Sequence, residues 1–160
     1  MPQSLNRIVV TAVGLLVLGV LVTLVLPAGD EALHRSSQEK KPLTALEERG
    51  RQVFLREGCW ACHTEQVRAI EAGFAHIRQP GDIGAASEGG EYAARSPALL
   101  GARRRGPDLT RVGTRLSSKE WHVRHHQDPQ AASTGSIMQP YGYLSQADLD
   151  ALAAYMLSLK

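Results

Sequence analysis

From Ile8 to Leu26 the chain reads IVVTAVGLLVLGVLVTLVL, nineteen residues without a charge and with two threonines as the only polar side chains. At about 1.5 Å per residue a helix of this length reaches about 28 Å, close to the hydrocarbon thickness of a bilayer. A helix buried in a soluble core is rarely apolar on every face for so long. A cleaved secretory signal has an apolar region of about 7–15 residues ending at a small-x-small site. This run is longer and passes into Leu26-Pro27-Ala28. It therefore predicts an uncleaved transmembrane anchor over residues 1–27 that meets the lipid bilayer directly. Arg7 precedes the span and Asp30 and Glu31 follow it, which by the positive-inside rule favours a cytoplasmic N-terminus. The next residues are polar and aperiodic, a predicted tether over 28–42, which leaves 43–160 as one working domain.

Charge and cysteine content narrow that domain's chemistry. The chain carries 18 Lys and Arg against 16 Asp and Glu, and a net charge of +2 gives no reason to expect a nucleic-acid partner. Its two Cys are too few for a disulfide framework. Aromatic residues make up only 5%, which is thin for a core filled by protein alone and leaves room for a cofactor.

Cys59-Trp60-Ala61-Cys62-His63 is C-x-x-C-H, the pattern of covalent c-type haem attachment. Two thiols at this spacing reach the two vinyl-derived carbons on one porphyrin edge, and the adjoining imidazole swings under the iron. A thioredoxin-like pair would require a βαβ setting that the sequence lacks. A zinc site would require two more Cys or His at ligand spacing. The prediction is one covalently bound haem c, with Cys59, Cys62 and His63 as its attachment and proximal residues. No general acid–base pair or nucleophilic constellation accompanies it.

The flanking segments read as helices. Thr44-Ala45-Leu46-Glu47 is a capping box, followed by Leu46, Gly50, Val53 and Phe54 at helical spacing. Ser145-Gln146-Ala147-Asp148 is a second box-like cap, ahead of a stripe of Leu149, Leu152, Tyr155, Met156 and Leu159. Gly50 lacks a side chain, so the two helices are expected to cross there, Phe54 meeting Leu152 and Tyr155. Val67, Ile70, Phe74 and Ile77 also have helical spacing and predict a helix early in the long stretch between His63 and Gly106. Ala85–Gly90 reads as exposed turn.

Terminal helices that cross at a Gly/aromatic pair and bracket C-x-x-C-H resemble class I cytochromes c. The resemblance implies an all-α fold, one N-terminal transmembrane helix plus a class I cytochrome c-like helical domain. In that family a Gly-Pro-x-Leu turn lies beside the proximal histidine and its proline carbonyl accepts the ring N–H. Gly106-Pro107-Asp108-Leu109 would place Pro107 in that role. The family's axial thioether comes from an irregular segment before the last helix, where Ser136-Ile137-Met138-Gln139-Pro140-Tyr141 supplies Met138. Met156, on the last helix, fits the core instead. His122, His125 and His126 remain competitors as ligands, or are simply solvated on a polar helix face.

A narrower resemblance follows. Glu57 to Thr64 with Val67-Arg68, Gly106 to Gly113, Glu120-Trp121-His122, and Ser136-Ile137-Met138 with Tyr141, Tyr143 and Leu144 resemble the membrane-anchored monohaem subunit of cbb-type haem–copper oxidases. By that resemblance the chain passes electrons from another cytochrome c toward an integral-membrane haem–copper oxidase-type catalytic subunit. The haem domain would face the periplasm of a bacterial cytoplasmic membrane. Arg68, Arg104 and Arg111 match family positions as partners for the haem propionates, with the indole of Trp121 as a further donor. The chain departs from the family at Arg103-Arg104-Arg105 and around Arg95–Leu100, and it lacks an extra segment before the last helix. These departures keep two alternatives open, the cytochrome c subunit of a nitric-oxide reductase and a free-standing membrane-anchored shuttle. A haem-based sensor or peroxidase would require an open iron position.

Overall fold

A computed structural model describes residues 2–31, 41–74, 76–77, 82–93, 95–101 and 103–160. It is helical, with no β-strand among the described residues. The first helix, α1 (Pro2–Val20), runs on through a π-helical turn (Leu21–Val25) into a last turn (Leu26–Ala28). Thr23 donates its hydroxyl to the Gly19 carbonyl at 2.7 Å, which keeps its only polar side-chain group bonded within the helix. Ser4–Ala28 is long and apolar enough to cross a membrane, and none of its apolar window is buried by the rest of the chain. Most of the predicted tether, residues 32–40, lies outside the described residues.

The chain divides into two compact units. One holds α1 and the single-turn helix α3 (Gly90–Ala93); the other holds the remaining helices: α2 (Ala45–Arg56), α4 (Val112–Arg115), α5 (Lys119–Gln127), α6 (Pro129–Ala132) and α7 (Gln146–Ser158). Both ends of the second unit start as their caps predict. The Thr44 backbone N–H donates to Glu47 at 2.7 Å while Glu47 N–H donates to the Thr44 hydroxyl at 3.3 Å. Ser145 Oγ accepts from Asp148 N–H at 3.1 Å.

α2 and α7 cross at Gly50. A methyl group there would sit 1.9 Å from the Ala151 carbonyl oxygen, so the backbones touch only because position 50 has no side chain. Phe54 meets Tyr155 edge-on, ring centroids 5.7 Å apart. Val53, Leu99, Leu109, Val112, Leu152, Met156 and Leu159 complete a core to which Cys59 also belongs. α4 closes the far end of α7, its Gly113 N–H donating to the Leu159 carbonyl at 2.8 Å.

The described residues between 67 and 77 do not form the predicted helix. They make single turns, with Glu71 and Ala72 N–H both donating to the Arg68 carbonyl. Gly73 adopts φ +87°. Val67 is buried but Ile70 and Phe74 are 74% and 67% exposed, so the periodic stripe has no face to cover it. Within Ala85–Gly90, Ser87 is docked rather than free: its N–H donates to the Val67 carbonyl at 2.8 Å and its hydroxyl accepts from Val67 N–H at 3.0 Å.

Candidate functional site

Two residues past α2, Gly58, with φ of +70°, turns the chain sharply into a 3-10 turn, Cys59–Ala61. Cys62 and His63 N–H both donate to the Cys59 carbonyl, at 3.1 and 3.0 Å. This tight turn buries Cys59 in the core and leaves Cys62 exposed. Burial pushes the Cys59 thiol up to about 12, against the nearby Tyr141 hydroxyl, which favours the thiolate. At neutral pH it is therefore a thiol, unlike a redox nucleophile.

His63 is half-buried. Its Nδ1 lies 2.8 Å from the Pro107 carbonyl oxygen, which can only accept, so Nδ1 carries the proton and Nε2 keeps its lone pair. Burial lowers the imidazole pKa, and the Pro107 carbonyl partly restores it. The ring lies flat against Gly106: an added Cβ would stand 2.3 Å from His63 Cε1. Arg105 and Gly106 N–H both donate to the Cys62 carbonyl at 2.9 Å, and Leu109 N–H donates to Thr64 at 2.7 Å. Residues 62–64 and 105–109 thus hold each other along their backbones.

Asp108 reinforces this pairing. Its fully buried carboxylate accepts from the Thr64 hydroxyl at 2.6 Å, Gln66 N–H at 3.2 Å and Thr110 N–H at 2.9 Å. Arg104 closes the network, donating to Thr64 Oγ1 and the Gln66 carbonyl, both at 2.8 Å, and pairing with Glu71 at 2.9 Å. Bonded to Arg68 first and Arg104 next, Glu71 is held down at about 2. Arg104, predicted as a propionate partner, is engaged chiefly with the protein. Glu65 is buried as well and accepts from the Tyr155 hydroxyl at 2.8 and 2.9 Å.

Arg111 differs. Its Nε is buried without a hydrogen-bond partner, as is the neighbouring Thr110 hydroxyl. Its stem lies against Gly84, which has φ +93° and where a Cβ would come within 2.7 Å of that Nε.

Met138 is half-buried, its N–H 3.3 Å from the Ser136 hydroxyl. Ile137 beside it is 88% exposed. The segment is tied down at Tyr141, whose N–H donates to the His126 carbonyl at 2.7 Å. The Tyr141 hydroxyl accepts from Gln139 at 2.9 Å and lies near enough to the Cys59 sulfur for each to perturb the other's titration. This brings Met138's segment to the attachment turn. Met156 sits in the core.

The three histidines of α5 are not a solvated face. His122 and His126 are 2% and 6% exposed. One ring nitrogen of each lies against a carbonyl, Leu116 at 2.8 Å for His122 and His122 at 2.7 Å for His126. Burial drives His126 down to about 3. α5 lies against α7, a neighbour that its own periodicity does not reveal. His125 stacks on Trp121, centroids 4.6 Å apart and planes within 10°, and its Nδ1 is buried without a partner. No three His, Cys, Asp or Glu side chains among the described residues converge as metal ligands.

The Asp108–Arg104 network and the Glu65–Tyr155 pair escape sequence reading. The one local sign is Asp108 two residues before Thr110, an Asx-turn spacing.

The chemistry of the donor set fits a haem: two thiols on one tight turn, an imidazole with a free Nε2, and a thioether on a segment bonded to that turn. A family profile described as cytochrome C oxidase, mono-heme subunit/FixO matches residues 3–158. Cytochrome c oxidase subunit 2 of Alkalihalophilus pseudofirmus is 27% identical over 125 residues, which cover 78% of this chain and 29% of that protein. The chain therefore spans less than a third of that relative's length. Matched along nearly its whole length, the chain belongs to the mono-haem subunit family of cytochrome c oxidase, an electron-transfer family.

Proposed function

We propose that this chain is the membrane-anchored c-type cytochrome of a cbb-type terminal oxidase. It receives single electrons from another cytochrome c and hands them to the integral-membrane haem–copper catalytic subunit. The observation that carries the reading is His63, with Nδ1 committed to the Pro107 carbonyl and its ring seated on Gly106, directly after the two-thiol turn. A haem held here would supply one-electron redox chemistry, with His63 and Met138 as the residues that would ligate its iron.

The residues divide the remaining work. Cys59 and Cys62 would hold the porphyrin covalently through their sulfurs. His63 Nε2 would ligate the iron, and the Pro107 carbonyl fixes the ring's tautomer and raises its basicity. Met138 would supply the second iron ligand, a thioether that would raise the potential relative to two imidazoles. Arg111, with its unpartnered buried Nε, and the Trp121 indole are the donors we assign to the propionates; Arg104 instead anchors the proximal segment. The haem-attachment machinery works outside the cytoplasmic membrane, so the domain faces the periplasm, as the charges around the span favour.

Purification from the native membrane in mild detergent, with identification of co-purifying subunits, tests the partner. A haem–copper oxidase subunit supports the reading. Nitric-oxide reductase subunits, or a cytochrome that travels alone, would replace it. Reduced spectra with carbon monoxide test the closed site: the wild type should bind it poorly and Met138→Ala readily.

A further inference from the structure

One more link joins Met138's segment to the attachment turn. The Tyr143 hydroxyl donates to Glu57 Oε2 at 2.6 Å, across 86 residues of sequence. Glu57 caps the C-terminus of α2 two residues before Cys59, and Arg56 Nε donates to its other oxygen at 2.7 Å. Arg56 also reaches Asp148 Oδ2 at 3.4 Å, and Arg49 donates to Asp148 Oδ1 at 2.9 Å. The end of α2 is thereby joined to the start of α7 and to the far end of Met138's segment.

Tyr143 is 70% exposed, and its other ring contact is a tilted pair with Tyr141, centroids 6.0 Å apart. So little burial does not fix an aromatic ring; a charge-assisted hydrogen bond does. Between Met138 and Tyr143 lie only four residues, of which Gln139, Pro140 and Gly142 are exposed. Tyr141 and Tyr143 are therefore the two points at which this stretch is held.

We propose that the Tyr143–Glu57 pair is a latch that keeps Met138 over the attachment turn and so sets how often the distal iron position opens. Tyr143 is a positioning residue, acting through Met138, and the proposal rests on Met138 being the distal ligand. An external ligand binds iron only in the open fraction, so its apparent affinity scales with that fraction.

The test is a spectrophotometric imidazole titration of the ferric, haem-loaded full-length protein in detergent. Losing one such exposed hydrogen bond should raise the apparent imidazole affinity of Tyr143→Phe and of Glu57→Ala about two- to fivefold. Glu57→Gln, which keeps an acceptor oxygen, should stay closer to wild type, and the double variant should gain no more than either single one. If Tyr143→Phe binds imidazole as wild type does, the latch is wrong, whatever happens to its melting temperature. Met138→Ala sets the upper limit of the scale. Should it bind imidazole no tighter than wild type, the ligand assignment fails, and with it the latch, in a way the tyrosine variants alone would not reveal.

Discussion

Thr64, Glu65 and Val67, just after His63, are buried and bonded to residues as distant as Ser87, Asp108 and Tyr155. Around Met138, by contrast, Ile137, Gln139 and Pro140 lie open to solvent, and the segment is held mainly through two tyrosines. The difference is one of energy as well as count. A buried donor left without an acceptor costs about 1–3 kcal/mol, so the proximal segment has no cheap alternative position. Water can replace the partners of an exposed segment at little cost. One side of the proposed haem is thus built to stay, and the other is built to yield.

The largest expected effect falls on the proximal side. Asp108→Ala removes the acceptor of Thr64, Gln66, Thr110 and Arg104 at a fully buried point and should cost about 3–5 kcal/mol in thermal or denaturant unfolding. A loss below 1 kcal/mol would erase the contrast between the two segments. Gly106→Ala comes next. Its methyl would press on the His63 ring at 2.3 Å, and the strain should cost about 1–3 kcal/mol and shift the visible spectrum of the haem-loaded protein.

Acid sharpens the comparison. His126, whose carbonyl anchors Tyr141, is pushed by burial from 6.5 to about 3. The open or unfolded chain takes up that proton first, so its contribution is complete above about pH 6.5 and fades as pH falls toward 3. Glu71, in the proximal network, is depressed from 4.5 to about 2, so its contribution persists to about pH 4.5 and is lost below that. In an acid titration followed by visible absorption and circular dichroism, distal ligation should weaken at a higher pH than the one at which the helical fold is lost. Coincident transitions would contradict this. The smallest effect is expected for Ser136→Ala, whose 3.3 Å contact to Met138 N–H is partly exposed; its stability should stay within about 0.5 kcal/mol of wild type.

Local signals carried the helical ends of the fold. Thr44 and Ser145 announce their helices because a cap is chemistry within four residues, and Gly50 announces a crossing because nothing else allows backbones to touch. The attachment turn was legible for the same reason. Arg104, Asp108 and Thr64 were not legible as a network, because the chain from 64 to 104 has no period that reports their meeting. The stripe Val67, Ile70, Phe74 and Ile77 misled for the converse reason: periodicity proposes a face, and only a neighbour makes a helix of it. The α5 histidines lie on a stripe that is polar in sequence, and only the neighbouring α7, remote in sequence, buries it.

The proposed covalent capture of one haem by Cys59 and Cys62 underlies both halves of the comparison. Intact mass spectrometry of the chain from its native host, denatured and extracted with acid acetone, tests it most directly. The polypeptide should retain the added mass of one haem and lose it when both cysteines are replaced by alanine. A bare polypeptide mass, with pigment in the acetone, would contradict the account.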